Sequence, residues 1–131
     1  ASRGLGDVYK RQVFEILKSG FSLSDYQFDE WYADTCHRVR HGISRLIVMH
    51  YGSEPAATAT VLFDDDKSCF LSHIAVRRDM QKNGIGTALL SCTANLLDNR
   101  KITLICKKNV QRFYISCGFT VAGTAYEIAR G

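Results

Sequence analysis

The chain has 131 residues with a formal net charge of +4, and 46% of them are hydrophobic, which suits one domain with a buried core. No apolar run approaches the ~18 residues of a membrane span, and the first residues lack the order of charged, apolar and small residues typical of a signal peptide. The basic residues do not form the dense stripe with interleaved aromatics of a nucleic-acid-binding face. We therefore expect neither nucleic acid nor membrane among the partners.

Five cysteines lie singly along the sequence, at Cys36, Cys69, Cys92, Cys106 and Cys117. An odd number without a Cys-x-x-Cys pair argues against both a disulfide framework and a zinc site. We expect reduced, mostly buried thiols in a cytoplasmic protein, and no metal ion.

The N-terminal part predicts two helices. Residues 1 to 12 have no initiator Met and no usable hydrophobic period, so we expect a non-native leader followed by a single domain over residues 13 to 131. Residues 13 to 18 predict a short helix with Phe14 and Leu17 facing inward. A stronger helix begins at Ser24, where Ser24-x-x-Gln27 forms a capping box. Its predicted apolar face consists of Phe28, Tyr32, Cys36 and Val39, and Gly42 is placed to end it.

Four apolar segments predict strands, over residues 45 to 51, 56 to 63, 69 to 76 and 102 to 106. The last is almost continuously apolar, as expected of a strand covered on both faces. A helix connects the third strand to the fourth, and the right-handed crossover makes these two strands parallel. A final helix over residues 109 to 117 ends at Gly118, and residues 119 to 122 and 125 to 129 predict a closing hairpin. The sequence thus predicts an α/β (α+β) fold: a mixed, mostly antiparallel sheet with a central parallel strand pair and helices on both faces.

A basic, glycine-containing turn, Gln81-x-x-Gly84-x-Gly86, lies between the third strand and the next helix. From this turn the apolar residues recur at helical spacing, at Ile85, Leu89, Cys92 and Leu96. The first N–H groups of a helix have no internal partner, and the helix dipole favours negative charge there. Because glycines let an anion approach these groups closely, the turn predicts a phosphate cradle.

Two common cradles do not fit this turn. A Walker A loop requires a Lys before the Ser or Thr, and Thr87 directly follows Gly86; a dinucleotide fingerprint requires a third glycine. Gln-x-x-Gly-x-Gly after Ile-Ala-Val instead resembles the acetyl-CoA loop of the GNAT N-acetyltransferase superfamily. A second segment, Phe113 to Phe119, resembles that family's Phe-Tyr-x-x-x-Gly-Phe element. The resemblance covers roughly residues 44 to 129.

This resemblance implies a GNAT-like fold and an N-acetyltransferase that uses acetyl-CoA as co-substrate. The acceptor is a primary amine of a small molecule, a peptide or a protein, and it attacks the thioester directly. The pantetheine arm is expected in a gap between the two parallel strands. The resemblance implies a set of cofactor-binding residues, to which the basic residues around the loop are added. The full set is Ile74, Val76, Arg77, Arg78, Gln81, Lys82, Asn83, Gly84, Ile85, Gly86, Thr87, Lys107 and Arg112.

Three catalytic candidates follow. Tyr114 stands where the family carries the tyrosine that protonates the leaving thiolate, and the alternative is simple packing beside Phe113. His73 has a pKa in the range of a general base, and Ser72 could hold a relay water. Regular alternation would turn His73 away from a cleft faced by Ser72 and Ile74 unless the strand is bulged. A structural histidine under a helix is the alternative.

Several points stay open. Many family members carry an Asn seven residues before the Tyr, where this chain has Lys107.

A non-catalytic acyl-CoA-binding sensor and an unrelated nucleotide-phosphate binder are the competing functions. Trp31 or Tyr32 could touch the acceptor, although core packing is favoured. The acceptor itself is not determined, and a homodimer is compatible with the sequence.

Overall fold

The computed structural model describes residues 7 to 18 and 20 to 129. The helices and strands in chain order are α1 (Asp7–Leu17), α2 (Asp25–Arg40), β1 (Ser44–Tyr51), β2 (Glu54–Phe63), β3 (Ser68–Val76), α3 (Ile85–Leu97), β4 (Lys101–Leu104) and α4 (Gln111–Ser116). A 3₁₀ turn over Arg78–Met80 precedes α3, and another over Lys108–Val110 precedes α4. None of the helices in these two ranges combines the length and the apolar character of a membrane span.

The four strands form one sheet in the order β1-β2-β3-β4. The strand β2 is antiparallel to both β1 and β3, and β4 runs parallel to β3. The predicted fold class is confirmed, but the parallel pair lies at the edge of the sheet instead of its centre. The predicted hairpin over residues 119 to 129 is wrong, because none of these residues is in a strand. Strand preference depends on packing against neighbours, and residues 120 to 129 are all exposed.

The helix α1 is longer than predicted. It begins at Asp7, so residues 7 to 12, which the sequence analysis set apart as a leader, are helical. Its buried residues are Val13, Ile16 and Leu17, while Phe14 is half-buried. Residues 1 to 6 lie outside the described part of the chain, and the leader remains a prediction.

The helix α2 follows its prediction closely. The Ser24 hydroxyl accepts the backbone N–H of Gln27 at 3.1 Å, and the Gln27 side chain accepts the Ser24 N–H at 3.0 Å, which completes the capping box. Three residues of the predicted face, Phe28, Tyr32 and Cys36, are buried. Together α1 and α2 cover one face of the sheet, on the side of Leu46, Val48 and Ala75.

The other face of the sheet is covered by α3, but not through the predicted side of the helix. Ile85 and Leu89 are buried as expected, whereas Cys92 is exposed and Leu96 is 56% exposed. The buried face instead continues through Leu90, Thr93 and Leu97. Because α3 carries apolar residues on more than one side, their spacing alone did not determine which side meets the sheet.

The strand β4 is shorter and more open than predicted. It ends at Leu104, its four residues are exposed or half-buried, and Ile105 just beyond it is 76% exposed. The prediction of a strand covered on both faces is therefore wrong. Because β4 is the last strand of the sheet, part of its surface has no neighbour among the described residues.

Candidate functional site

A gap opens in the sheet where β3 and β4 separate. The two strands are paired from Ser68↔Lys101 to Leu71↔Leu104, but β3 continues to Val76. Over its last residues β3 therefore has β2 on one side and no strand on the other within the described part of the chain. This is the gap that the resemblance predicts for the pantetheine arm.

The backbone of Val76 points into this gap. The Arg77 N–H donates to the Ala56 carbonyl at 2.8 Å, and Val76 lies opposite Ala57 in the same register. In an antiparallel pair, hydrogen-bonded and non-hydrogen-bonded positions alternate, so the Val76 N–H and carbonyl point away from β2. The Gln81 amide donates to this carbonyl at 3.1 Å. The Val76 N–H is left directed into the gap.

The glycine-containing turn shapes the start of α3. Gly84 is the N-cap residue and has a φ of +74°, a left-handed conformation that favours glycine. It has no side chain to cap the helix, so the first N–H groups of α3, those of Ile85, Gly86 and Thr87, face outward without an intrahelical partner. These N–H groups lie at the turn for which the sequence predicts a cradle.

The gap and the cradle belong to one cavity of about 580 Å³. Of the predicted cofactor-binding residues it is lined by Ile74, Val76, Gln81, Lys82, Gly84, Ile85, Gly86 and Thr87. Tyr114 lines the same cavity. The structure thus brings the predicted cradle, the end of β3 and the proposed acid together around a single space.

The two glycines of the turn have different surroundings. A Cβ added to Gly86 would lie 3.0 Å from the Cζ atom of Phe113 and 3.7 Å from a methyl group of Val76. Nothing in the described residues lies within 4 Å of a Cβ added to Gly84. A side chain at position 86 would therefore crowd Phe113 on α4, whereas Gly84 leaves open space where an anion could meet the helix. The residues present fit a diphosphate group.

Tyr114 is held by aromatic contacts. Its ring is edge-on to Phe113, with ring centroids 5.1 Å apart, and edge-on to Phe119 at 5.9 Å. Burial raises the pKa of the Tyr114 phenol, and Cys106 and Cys117 raise it further. The phenol therefore keeps its proton at neutral pH, as a proton donor must.

A β-bulge determines where His73 points. Thr58 pairs with Ala75 and Thr60 pairs with Ser72, so two residues of β3, His73 and Ile74, lie opposite one residue of β2. His73 has a φ of +50°. The regular alternation considered above is thus interrupted at this point. Ile74 lines the cavity on the α3 side, and His73 lies on the side of α1 and α2.

The His73 ring lies among aromatic side chains. Its centroid is 4.8 Å from that of Trp31 and 5.6 Å from that of Phe21, and its Nδ1 atom is 3.2 Å from the Ser72 hydroxyl oxygen. Burial lowers the pKa of His73, and the positive charge of Arg38 lowers it further. The imidazole is therefore neutral at pH 7 and able to accept a proton.

Phe21 connects the two sides of the site. It contacts His73 and also lines the cavity that holds Tyr114. Trp31 is half-buried beside His73, whereas Tyr32 is buried in the core between the helices and the sheet. Of the two aromatics considered for the acceptor side, Trp31 is the one that reaches the site.

The remaining predicted residues lie outside the cavity lining. The Arg77 guanidinium bonds the carboxylates of Asp79 at 2.8 Å and Glu54 at 3.3 Å, which fixes the loop to the β1–β2 hairpin. The Asn83 amide donates to the Met80 carbonyl at 3.5 Å. The others are exposed or half-buried and do not line the cavity: Ser72, His73, Arg78, Lys107 and Arg112. Their functional roles remain predictions.

Six lining residues were not among the predicted site residues: Gly20, Phe21, Ala75, Met80, Val110 and Phe113. Met80 had an available signal, because it is an apolar residue inside an otherwise polar turn. Nothing in the sequence connects Phe21 with β3. Its place depends on how α1 and α2 cross the sheet.

Comparison with known proteins identifies this arrangement. A family model for an acetyltransferase (GNAT) domain matches residues 42 to 121. No curated protein matches the chain by sequence.

Solved structures share the fold at low sequence identity. An aminoglycoside acetyltransferase from an uncultured soil metagenomic sample, in complex with sisomicin, matches with a TM-score of 0.74 and 14% identity, covering 100% of this chain and 91% of that one. A predicted acetyltransferase with acetyl-CoA from Clostridium acetobutylicum matches with a TM-score of 0.67 and 17% identity, covering 98% of this chain and 92% of that one. Glucosamine-6-phosphate N-acetyltransferase from Arabidopsis thaliana matches with a TM-score of 0.64 and 16% identity, covering 95% of this chain and 94% of that one. At such identities the likeness shows the fold.

Proposed function

Because the chain belongs to the GNAT family of acetyltransferases, we propose that it transfers the acetyl group of acetyl-CoA to a primary amine of a small molecule, a peptide or a protein. The observation that carries this proposal is the single cavity that joins the start of α3, the end of β3 and Tyr114. A phosphate cradle, a free strand edge and a proton donor are the three parts that this reaction requires.

The donor side would be held mainly by backbone. The N–H groups of Ile85, Gly86 and Thr87 would bind the diphosphate, with Lys82 beside them as a countercharge. The open end of β3 would bind the pantetheine amides as a neighbouring strand would. When bound, acetyl-CoA supplies an electrophilic carbonyl carbon and a thiolate leaving group.

The chain's own groups would then handle charge and protons. The Val76 N–H would donate to the carbonyl oxygen as negative charge develops there. A lysine-like amine, with a pKa of about 10.4, is neutral in only about one molecule in 10³ at pH 7, so removal of its proton matters. His73, neutral and bonded to Ser72, would take that proton through water. Tyr114 would donate its proton to the departing sulfur.

A reducing compartment suits this protein. None of the five cysteines is in a disulfide, and three of them are at least partly exposed. Free thiols persist where glutathione and thioredoxin keep them reduced. These observations support the cytoplasm as its location.

Two matched glycine substitutions test the cradle. Gly84 and Gly52 both have positive φ, +74° and +65°, and a Cβ at either would meet nothing within 4 Å among the described residues. Gly84→Glu and Gly52→Glu should therefore strain the backbone similarly, by about 1–2 kcal/mol. Only Gly84→Glu places bulk and negative charge in the cradle. We expect it to abolish acetyl-CoA binding measured by calorimetry, while Gly52→Glu binds normally.

The same proteins test the reaction itself. Free-thiol release from acetyl-CoA, measured over a panel of small amines and peptides, should be seen with the wild-type chain and with Gly52→Glu. Binding without release over the whole panel would instead support the acyl-CoA sensor. Normal acetyl-CoA affinity in Gly84→Glu would refute the assigned cradle, and tighter binding of ATP than of CoA would support the nucleotide binder.

A further inference from the structure

An aromatic wall lies on the α1 and α2 side of β3 and consists of Phe21, Trp31 and His73. The centroid of the His73 ring is 4.8 Å from that of Trp31 and 5.6 Å from that of Phe21, and the ring planes are inclined by 39° and 32°. Phe21 is 37% exposed and Trp31 is half-buried, so both rings keep surface that a bound molecule can cover. The wall therefore offers flat apolar surface next to the imidazole proposed to take the amine proton.

The loop between α1 and α2 places Phe21 where the aromatic wall meets the cavity. The Phe21 N–H donates to the Leu17 carbonyl at 2.9 Å, which fixes this residue to the end of α1. The neighbouring Gly20 lies close to the end of β3, because a Cβ added to it would be 4.0 Å from that of Ala75. Phe21 also lines the cavity that holds Tyr114. A group attached to an amine that reaches both sides of the site would thus lie against the Phe21 ring.

The charges around this space are positive. Lys82 is the only charged residue among the described residues that line the cavity. On the side of the aromatic wall, Arg38 is the residue whose positive charge lowers the pKa of His73. Three carboxylates of α1 and α2 line a different groove: Asp7, Asp25 and Asp29. A second ammonium group on the acceptor would therefore meet like charge, which is unfavourable.

We propose that the acceptor is a primary amine attached to an aromatic group, with no second positive charge. This inference rests on the proposed acetyltransferase function and names its substrate class. The aromatic group would pack on Phe21 and Trp31, because aromatic pairs gain from ring geometry in addition to buried area. The ammonium form of the amine would be attracted to the face of the indole before neutral His73 takes its proton.

Rates with three amines test the class of acceptor. Phenethylamine carries an aromatic ring, pentylamine carries an apolar chain, and 1,5-diaminopentane adds a second ammonium to that chain. We expect kcat/KM, measured by free-thiol release, to be about two- to tenfold higher for phenethylamine than for pentylamine. It should be about tenfold or more lower for 1,5-diaminopentane than for pentylamine.

Two substitutions to alanine test the aromatic wall. Phe21→Ala should remove the preference for phenethylamine over pentylamine. Tyr26→Ala should keep it, because Tyr26 is 74% exposed on α2 and lines neither the cavity nor the wall. The preference is a ratio of two rates measured on one sample, so it does not depend on how much of a variant is folded.

Trp31 is the only tryptophan of the chain, so its fluorescence reports an amine that packs on it. Phenethylamine, titrated into protein saturated with CoA, should change the emission and reach saturation without any acetyl transfer. Phe21→Ala should need about tenfold more phenethylamine or higher, since the lost ring removes buried apolar area. Tyr26→Ala should respond like the wild-type chain.

The outcomes separate this proposal from the function on which it rests. Thiol release with other amines but not with phenethylamine would overturn the aromatic acceptor and leave the acetyltransferase standing. Acetyl-CoA binding without release for any amine would overturn both. A diamine as fast as pentylamine, an unchanged preference in Phe21→Ala, or acetylation of phenethylamine without a change in Trp31 emission would also overturn the proposal.

Discussion

The two faces of β3 at the site are built by different means. On the α3 face, the end of β3 and the start of α3 present mostly backbone groups, shaped by Gly84 and Gly86. On the face of α1 and α2, a bulge presents the His73 side chain to Trp31 and Phe21. The first face can bind a constant group that every donor carries. The second depends on side chains, so it can differ between proteins that share the fold.

Removal of the Tyr114 hydroxyl should have the largest effect. We expect Tyr114→Phe to lower kcat about 10²- to 10⁴-fold, the range of a positioned general acid. Acetyl-CoA affinity should be unchanged, because the ring and its contacts with Phe113 and Phe119 are retained. Steady-state kinetics and calorimetry measure the two quantities, with Tyr51→Phe, exposed at the end of β1, as control. An undiminished kcat would leave Tyr114 as a packing residue only.

Loss of the imidazole on the opposite face should have a smaller effect that depends on pH. Protonated His73 cannot accept a proton, so the wild-type rate should fall as pH decreases through its pKa, which burial and Arg38 place below 6.5. We expect His73→Gln to lower kcat/KM about 10²-fold and to remove this acidic limb. The measurement is a pH profile of kcat/KM. The same acidic limb in His73→Gln would assign it to another group.

His73 should also affect stability in the same pH range. Its pKa is below 6.5 in the folded chain and near 6.5 in the unfolded chain, so between these values the unfolded chain binds more protons. The free energy of unfolding should therefore decrease as pH falls from about 6.5 through the folded-state pKa. Denaturant titrations at several pH values should show a weaker dependence in His73→Gln.

The smallest expected effect concerns Arg38, which acts on His73 through its charge. Arg38→Gln should raise the pKa of His73 toward 6.5 and move the acidic limb of kcat/KM in that direction, with less than a tenfold change at pH 8. Arg38 also donates to the Thr35 hydroxyl at 3.1 Å, a bond that Gln can replace in part. A large loss of activity at pH 8 would indicate that Arg38 contacts the acceptor directly.

The difference between the two faces explains what the sequence could predict of the site. The cradle was predicted because glycine suits both the positive φ at Gly84 and the limited space beside Phe113 at Gly86, and glycines are visible in the sequence. The bulge at His73 has no such signature, because a histidine occupies its positive φ. Phe21 and Trp31 could not be placed beside His73 without knowing how α2 crosses the sheet.

The fold shows the same division. The capping box at Ser24 and the antiparallel strands β1 to β3 were predicted well, because hydrogen bonds between near neighbours and turn residues determine them. Three features were predicted wrongly: which side of α3 is buried, how long β4 is, and whether residues 119 to 129 form strands. Each of these depends on which surface another element offers, and local patterns do not contain that information.

The close contact between Gly86 and Phe113 has a consequence for how this protein could change. A larger residue at position 86 would press on the Phe113 ring, 3.0 Å from its Cβ, and Phe113 is the immediate neighbour of Tyr114. A smaller side chain at position 113 would relieve this contact. The two positions are therefore coupled by packing, although 26 residues lie between them in the sequence.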